Sequence, residues 1–166
     1  MRYFSIYADK RHIQPRILNR ELLIGPHIQQ QKLIYEELDQ RNYLKVQLEQ
    51  EVEFMDIVNS PIFMVTKEFA NLIRIYCPAT KFKYMVLFDE VNRRAVSYQI
   101  PLLSEVDCLH SDSELSREGN TITKGILCND KTGNVPIFRL KSAKGQYIVA
   151  NLAFVESAYR REVRGM

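Results

Sequence analysis

The chain has 166 residues, 46% of them hydrophobic and 26% charged, with a net charge of +3 and three cysteines. At this length folding buries roughly 70% of the unfolded surface, so one domain can hold a core without covalent staples. Cys77, Cys108 and Cys128 are an odd set without CxxC spacing, which argues against a disulfide framework or a zinc site and for reduced thiols in a cytoplasmic protein.

The N-terminal MRYFSIYADKR has no apolar core of the kind a secretory signal needs. Apolar runs such as Met85–Phe88 are far too short to span a bilayer, so no membrane association is expected. Within that first stretch Tyr3–Ala8 alternates as a strand, with Phe4, Ile6 and Ala8 on one side. Residues 9–27 read as irregular, holding Pro15 and Gly25-Pro26. Gln29–Gln40 spaces Leu33, Ile34 and Leu38 as a short helix would, and Tyr43–Leu48 alternates as a half-buried strand. Glu53–Val58 reads as a turn of helix.

The next unit, Ser60–Tyr76, is the most legible in the chain. Pro61 has no N–H for a ladder, so it starts a strand or sits at its edge, and Ile62–Val65 follows as a short buried strand. Thr66 is a helix N-cap candidate. Phe69, Leu72, Ile73 and Tyr76 then fall at i, i+3, i+4 and i+7, one apolar helix face. Cys77-Pro78 ends it, because a residue before proline is pushed out of the α region.

Beyond the helix, Lys81–Asp89 alternates with Phe82, Tyr84, Val86 and Phe88 on one face, and Glu90–Arg93 turns the chain into a returning strand, Ala95–Leu102. Residues 104–121 are polar and patternless, hence a loop with at most one helical turn. Thr121–Cys128 regains strand character, and Asn129–Asn134 is a turn by composition. Val135–Leu140 and Gln146–Ala150 are strands joined by a Lys141–Gly145 turn. Asn151 caps a final helix on which Leu152, Val155 and Tyr159 face one way, with Glu156 and Arg160 as an i,i+4 pair.

Charge is unevenly distributed. Residues 1–20 carry Arg2, Lys10, Arg11, Arg16 and Arg20 against Asp9, a balance of +4. Residues 36–56 carry seven acids against Arg41 and Lys45, a balance of −5. The stretch Glu105–Glu118 is acidic again. Basic residues are not interleaved with aromatics on one face, so nucleic-acid binding is not expected. Acidic clusters can steer a basic partner instead, and Asp107, Asp112, Glu114 and Glu118 are the candidate partner-binding residues.

The search for chemistry is largely negative. There is no GxSxG, no GxxxxGK[ST], no GxGxxG and no HExxH. His12, His27 and His110 have no ligand at helical spacing, so no metal or other cofactor is expected. Cys108-Leu109-His110 places a thiol two residues from an imidazole, but a third orienting group is missing. Adjacent pairs such as Asp89-Glu90 point to opposite faces of a strand and cannot share acid–base work.

The PIFMVT strand and capped helix of Ser60–Ile75, the Lys81–Leu102 hairpin, and Val135–Glu162 with its IFRLK and YIVANLAFVESAYRRE runs occur in a familiar order. Together they resemble a family of uncharacterised bacterial proteins related to the immunity proteins of polymorphic toxin systems. The resemblance rests on packing residues such as Phe63, Val65, Phe69, Leu72, Phe138, Val149 and Tyr159-Arg160-Arg161, and lies within residues 51–166; residues 1–50 have no such likeness. It implies cytoplasmic, non-enzymatic binding of a cognate toxin or secreted effector, and carries over no functional residue.

The expectation is therefore a single α+β domain: a largely antiparallel sheet of six to eight strands with two to four helices packed on one face. The leading function is protein binding, most concretely neutralisation of a toxin or adaptor service to an effector. The alternative is an enzyme, a hydrolase or transferase, with an unrecognised active site.

Overall fold

The computed structural model describes residues 2–9, 11, 14–19, 35–48, 53–116, 121–141 and 146–166. Its strands in chain order are β1 (Tyr3–Ile6), β2 (Arg16–Ile17), β3 (Arg41–Gln47), β4 (Ile57–Val58), β5 (Met64–Val65), β6 (Lys81–Asp89), β7 (Arg94–Leu102), β8 (Glu105–Val106), β9 (Glu114–Leu115), β10 (Ile122–Lys124), β11 (Ile137–Leu140) and β12 (Ile148–Asn151). Helix α1 (Lys67–Tyr76) follows β5, a 3-10 turn (Asn129–Lys131) precedes β11, and helix α2 (Leu152–Arg160) follows β12.

These elements make an α+β domain with a sheet-dominated core, as the sequence predicts. Among the described residues the single sheet is replaced by three, a six-stranded sheet in the order β2-β3-β6-β7-β5-β4, a four-stranded sheet β1-β12-β11-β8, and the pair β9-β10. Pairing is antiparallel except between β3 and β6 and between β8 and β11. The undercount has a physical cause: β2, β4, β8 and β9 are two residues long, too short to show a period of two.

Alternation along β3 buries Leu44 and Val46, and along β6 buries Met85 and Leu87. Tyr98 and Ile100 of β7 join them, and Ile17, Tyr35 and Leu38 close this first part of the core. The Tyr98 hydroxyl, fully buried, donates to the Met55 carbonyl at 2.7 Å. Of the helix expected over Gln29–Gln40, a turn at residues 35–37 is seen, and residues 29–34 lie outside the described part.

A second part of the core joins both large sheets through the two helices. Ile57, Phe63 and Val65 meet Phe69, Leu72 and Ile73 of α1, then Phe154 and Ala158 of α2, then Ile6, Ile137, Ile148 and Ala150 of the four-stranded sheet. Phe69 and Tyr76 each set an edge against the Phe154 ring, at centroid distances of 5.7 and 5.3 Å. Helices α1 and α2 therefore lie between the two large sheets rather than on one outer face. Gln146 adds a polar tie, donating to the Pro61 carbonyl and accepting from the Phe63 N–H.

Several local expectations change. Residues 53–58 hold β4 rather than helix, because Ile57 and Val58 are each buried on opposite faces and pair with Val65 and Met64. Thr66 stands at the N-cap of α1 but makes no cap bond; its hydroxyl donates to Asp56 instead. Asn151 does cap α2, accepting from Phe154 N–H at 2.9 Å. The buried stripe of α2 is Phe154, Val155 and Ala158, while Leu152 and Tyr159 are exposed. No Glu156–Arg160 ion pair forms among the described residues, and Arg161 bonds Ser157. On β1 Ile6 is buried, but Phe4, on the same side, is 40% exposed.

Candidate functional site

On β6 the residues Phe82, Tyr84, Val86 and Phe88 share a face, as alternation predicts, and Tyr84, Val86 and Phe88 are exposed. The buried face is the other one. The parallel register of β3 sets Tyr43, 60% exposed, beside Val86, and the antiparallel register of β7 sets Ser97 and Ala95 beside Val86 and Phe88. Small neighbours on β7 leave the large side chains of β6 standing above the sheet. The result is an apolar stripe of two tyrosines, a valine and a phenylalanine on a sheet whose opposite face is core.

Charged groups border it. Lys45, opposite Phe88, donates to Glu90 at 2.8 Å, and that hydrogen bond raises the lysine pKa above its ordinary value. Arg41 stands opposite Tyr84. From α1 the Arg74 guanidinium lies 4.1 Å from the Phe82 ring centre and donates to Gln99, which pairs with Tyr84. Alternation alone did not give its sense: Phe82, Tyr84, Val86 and Phe88 are all apolar, Lys81, Lys83 and Asp89 share the other face with Met85 and Leu87, and the cover over Met85 and Leu87 decides which is buried.

The acidic stretch is structured where a loop was expected. Glu105–Val106 is β8, Leu109 bridges Leu127, and Glu114–Leu115 is β9, because Cys108 is buried against Phe138, Leu140 and Val149 and pins the segment down. Asp107, Asp112 and Glu114 are exposed, and Glu118 lies outside the described residues. A local cation tempers one of them, Lys124 standing 3.5 Å from Glu114, and the His110 ring lies beside Asp112. Asp112 and Glu114 share one turn, while Asp107 lies beyond the buried Cys108 at the other end of the segment.

The Cys108–His110 pair does not make a nucleophile. Burial pushes the Cys108 thiol pKa up, opposite to what thiolate chemistry requires, and His110 accepts from the Asp112 N–H. Among the described residues no three His, Cys, Asp or Glu side chains gather as metal ligands, and no helix is long and apolar enough to cross a membrane.

A larger cleft, about 690 Å³, opens beside Asp56 and is lined by Glu53, Glu68, Arg94, Arg161 and Arg164. Its charges are mixed, and Asp56 is engaged by Thr66 and by the main chain of Arg164. Sequence spacing gave no sign of it, since its walls come from residues 53–68, from β7 and from the C-terminal segment.

No family model matches the chain, and no curated protein matches it in sequence.

Proposed function

We propose that this chain is a protein-binding protein that acts by occlusion, most concretely a cytoplasmic immunity protein that neutralises a cognate bacterial toxin, or an adaptor for a secreted effector. One observation carries the reading: the exposed stripe Tyr43, Tyr84, Val86 and Phe88 with its border of Arg41, Lys45, Glu90 and Arg74. Contiguous apolar surface on a packed sheet calls for a cover, and tyrosine, phenylalanine and arginine are the residue types that anchor protein interfaces. Occlusion asks no chemistry of the inhibitor; it asks for a rigid platform, which the buried opposite face of the same strands provides. A standard interface takes about 800 Å² from each partner, so the stripe is the centre of such a patch and not all of it. The acids Asp107, Asp112 and Glu114 serve in this reading to steer a basic toxin rather than to anchor it.

The test is co-expression with whatever toxin a neighbouring gene encodes. Tyr43→Ser with Tyr84→Ser should abolish co-purification and protection of the cell while leaving the unfolding temperature within a few degrees of wild type. Full protection by that double variant would remove the stripe as the binding surface.

A further inference from the structure

The four-stranded sheet ends on β1, and among the described residues no strand pairs with its outer side. Natural edge strands are usually shielded by charge, proline, bulges or brevity. Tyr3–Tyr7 reads YFSIY, without charge, proline or glycine, and its ladder with β12 is regular from Tyr3↔Asn151 to Ile6↔Ile148. The register fixes where the backbone groups point. Leu152 N–H donates to the Arg2 carbonyl, so Arg2, Phe4 and Ile6 bond inward to β12, and Tyr3 and Ser5 turn their N–H and C=O groups outward. Among the described residues neither Tyr3 nor Ser5 has a backbone partner on that side.

Two clefts flank the same edge, one on each face of the sheet. The first, about 280 Å³, is walled by Tyr3, Leu109, Ile122, Leu127, Tyr147 and Val149. The second, about 290 Å³, lies toward α2, with Tyr7, Asp9, Arg11, Val155 and Tyr159 in its wall. Phe4 and Ser5 line both. Each cleft is large enough for one side chain. A strand laid along β1 sends successive side chains to opposite faces, so it would fill both clefts with neighbouring residues.

We infer that β1 is a site of strand addition for an extended peptide segment of another protein, one with an apolar side chain for the first cleft, a polar side chain for the second and an acidic residue at the Arg2 end. The acidic residue follows from charge: exposed Arg2 precedes the edge, whereas Arg11, which follows it, is already paired with Asp9 at 2.6 Å. A second copy of this chain does not fit the clefts. It would bring Tyr3, which is bonded to Thr132 and packed edge-on against Phe138, and Ile6, which is buried beneath its own α2. The edge lies on a different sheet from the Tyr43–Phe88 stripe, so the inference stands or falls apart from the function proposed above.

The probe is a displayed library of random twelve-residue peptides selected on the full-length protein. Selected peptides should alternate apolar and polar residues with an acid at the Arg2 end, and should bind more weakly as salt rises. N-methylation of their backbone should weaken binding about tenfold at every second position and leave the intervening positions nearly unaffected, a pattern only a ladder produces. Ser5→Pro removes an outward N–H that β12 does not use, so it should weaken the same peptides by a similar factor with the fold retained, as judged by circular dichroism. Gly125→Leu supplies an independent arm, since a Cβ there stands 3.4 Å from Ile122 Cγ2 and further carbons enter the first cleft; it should shift selection to smaller apolar residues. Failure to select peptides, N-methyl effects without alternation, or a Ser5-dependent dimer in sedimentation would each overturn the inference.

Discussion

Asp56 holds Arg164 across 108 residues of chain, its carboxylate accepting the Arg164 main-chain N–H at 2.6 Å while its own N–H donates to the Arg164 carbonyl at 3.1 Å. The other carboxylate oxygen accepts the Thr66 hydroxyl at 2.7 Å, and the Asp56 carbonyl accepts the Thr66 N–H. One side chain thus ties β4, the start of α1 and the C-terminal segment. Gly165 next in line has φ +76°, and a Cβ there would stand 2.7 Å from Met55 Cβ, so the segment lies flat against the chain only as glycine.

Asp56→Ala is therefore expected to destabilise the fold by about 2–4 kcal/mol, since it removes two hydrogen bonds to a charged acceptor and leaves the Thr66 hydroxyl to find another. Deletion of residues 163–166 should cost a similar amount. Chemical denaturation of the two variants and their combination checks the account, and near-additive losses would show that Asp56 and the C-terminal segment act separately.

How much of this was visible in the residues depends on whether the signal was local. The α1 face of Phe69, Leu72 and Ile73 was legible because four residues at helical spacing are bounded by a cap position and a proline, and all of that lies within 18 residues. The β6–β7 hairpin was legible for the same reason. What the residues did not declare was which face of β6 is covered: Phe82, Tyr84, Val86 and Phe88 make the more apolar set, yet Met85 and Leu87, on the face of Lys81, Lys83 and Asp89, are the buried ones. Sense was set at a distance, by Ile17, Tyr35 and Leu38 over one face, while on the other Arg74 of α1 lies over Phe82 at one end of the strand. The edge at β1 and the tie at Asp56 were hidden likewise, since each depends on partners more than 100 residues away.

Packing around Phe154 gives the second prediction. Leu72 and Phe154 are both fully buried in the part of the core that joins the two large sheets. Leu72→Ala should cost about 2–5 kcal/mol and Phe154→Ala about 3–5 kcal/mol, the sum of lost transfer energy and the cavity left behind. Phe154→Leu keeps much of the volume but loses the edge contacts with Phe69 and Tyr76, so it should fall between Phe154→Ala and wild type. Equal unfolding midpoints for Phe154→Leu and wild type would show that the ring contacts add nothing beyond burial.

Acid should unfold the hairpin in a way traceable to Asp89. Its carboxylate accepts the Asn92 side-chain amide at 2.6 Å and the Val91 and Asn92 N–H groups across the turn, and the Asn92 bond holds its pKa below the usual carboxylate value. A carboxyl whose folded pKa lies below its unfolded value stabilises the fold above the unfolded value, and that contribution is lost as pH falls through the folded one. The unfolded value is about 3.9, so the loss should develop below about pH 4. Asp89→Asn should lower stability at neutral pH and flatten its decline between pH 4 and 2. A slope unchanged by the substitution would place the acid sensitivity elsewhere.

Steering by the acidic segment is separable from anchoring by the aromatic stripe, because charge acts before contact and apolar burial acts after it. Asp107, Asp112 and Glu114 are exposed on a segment held in place by Cys108 and by the Leu109–Leu127 bridge, so replacing all three with lysine should leave unfolding within about 0.5 kcal/mol of wild type. Association with a basic toxin should slow, and the dependence of the rate on salt should weaken, while the dissociation rate changes little. Tyr84→Ser should do the reverse, speeding dissociation with the association rate and its salt dependence retained. Stopped-flow or surface-based kinetics at two ionic strengths distinguish the two. An acid-to-lysine variant that associates at the wild-type rate at low salt would remove the segment from recognition altogether.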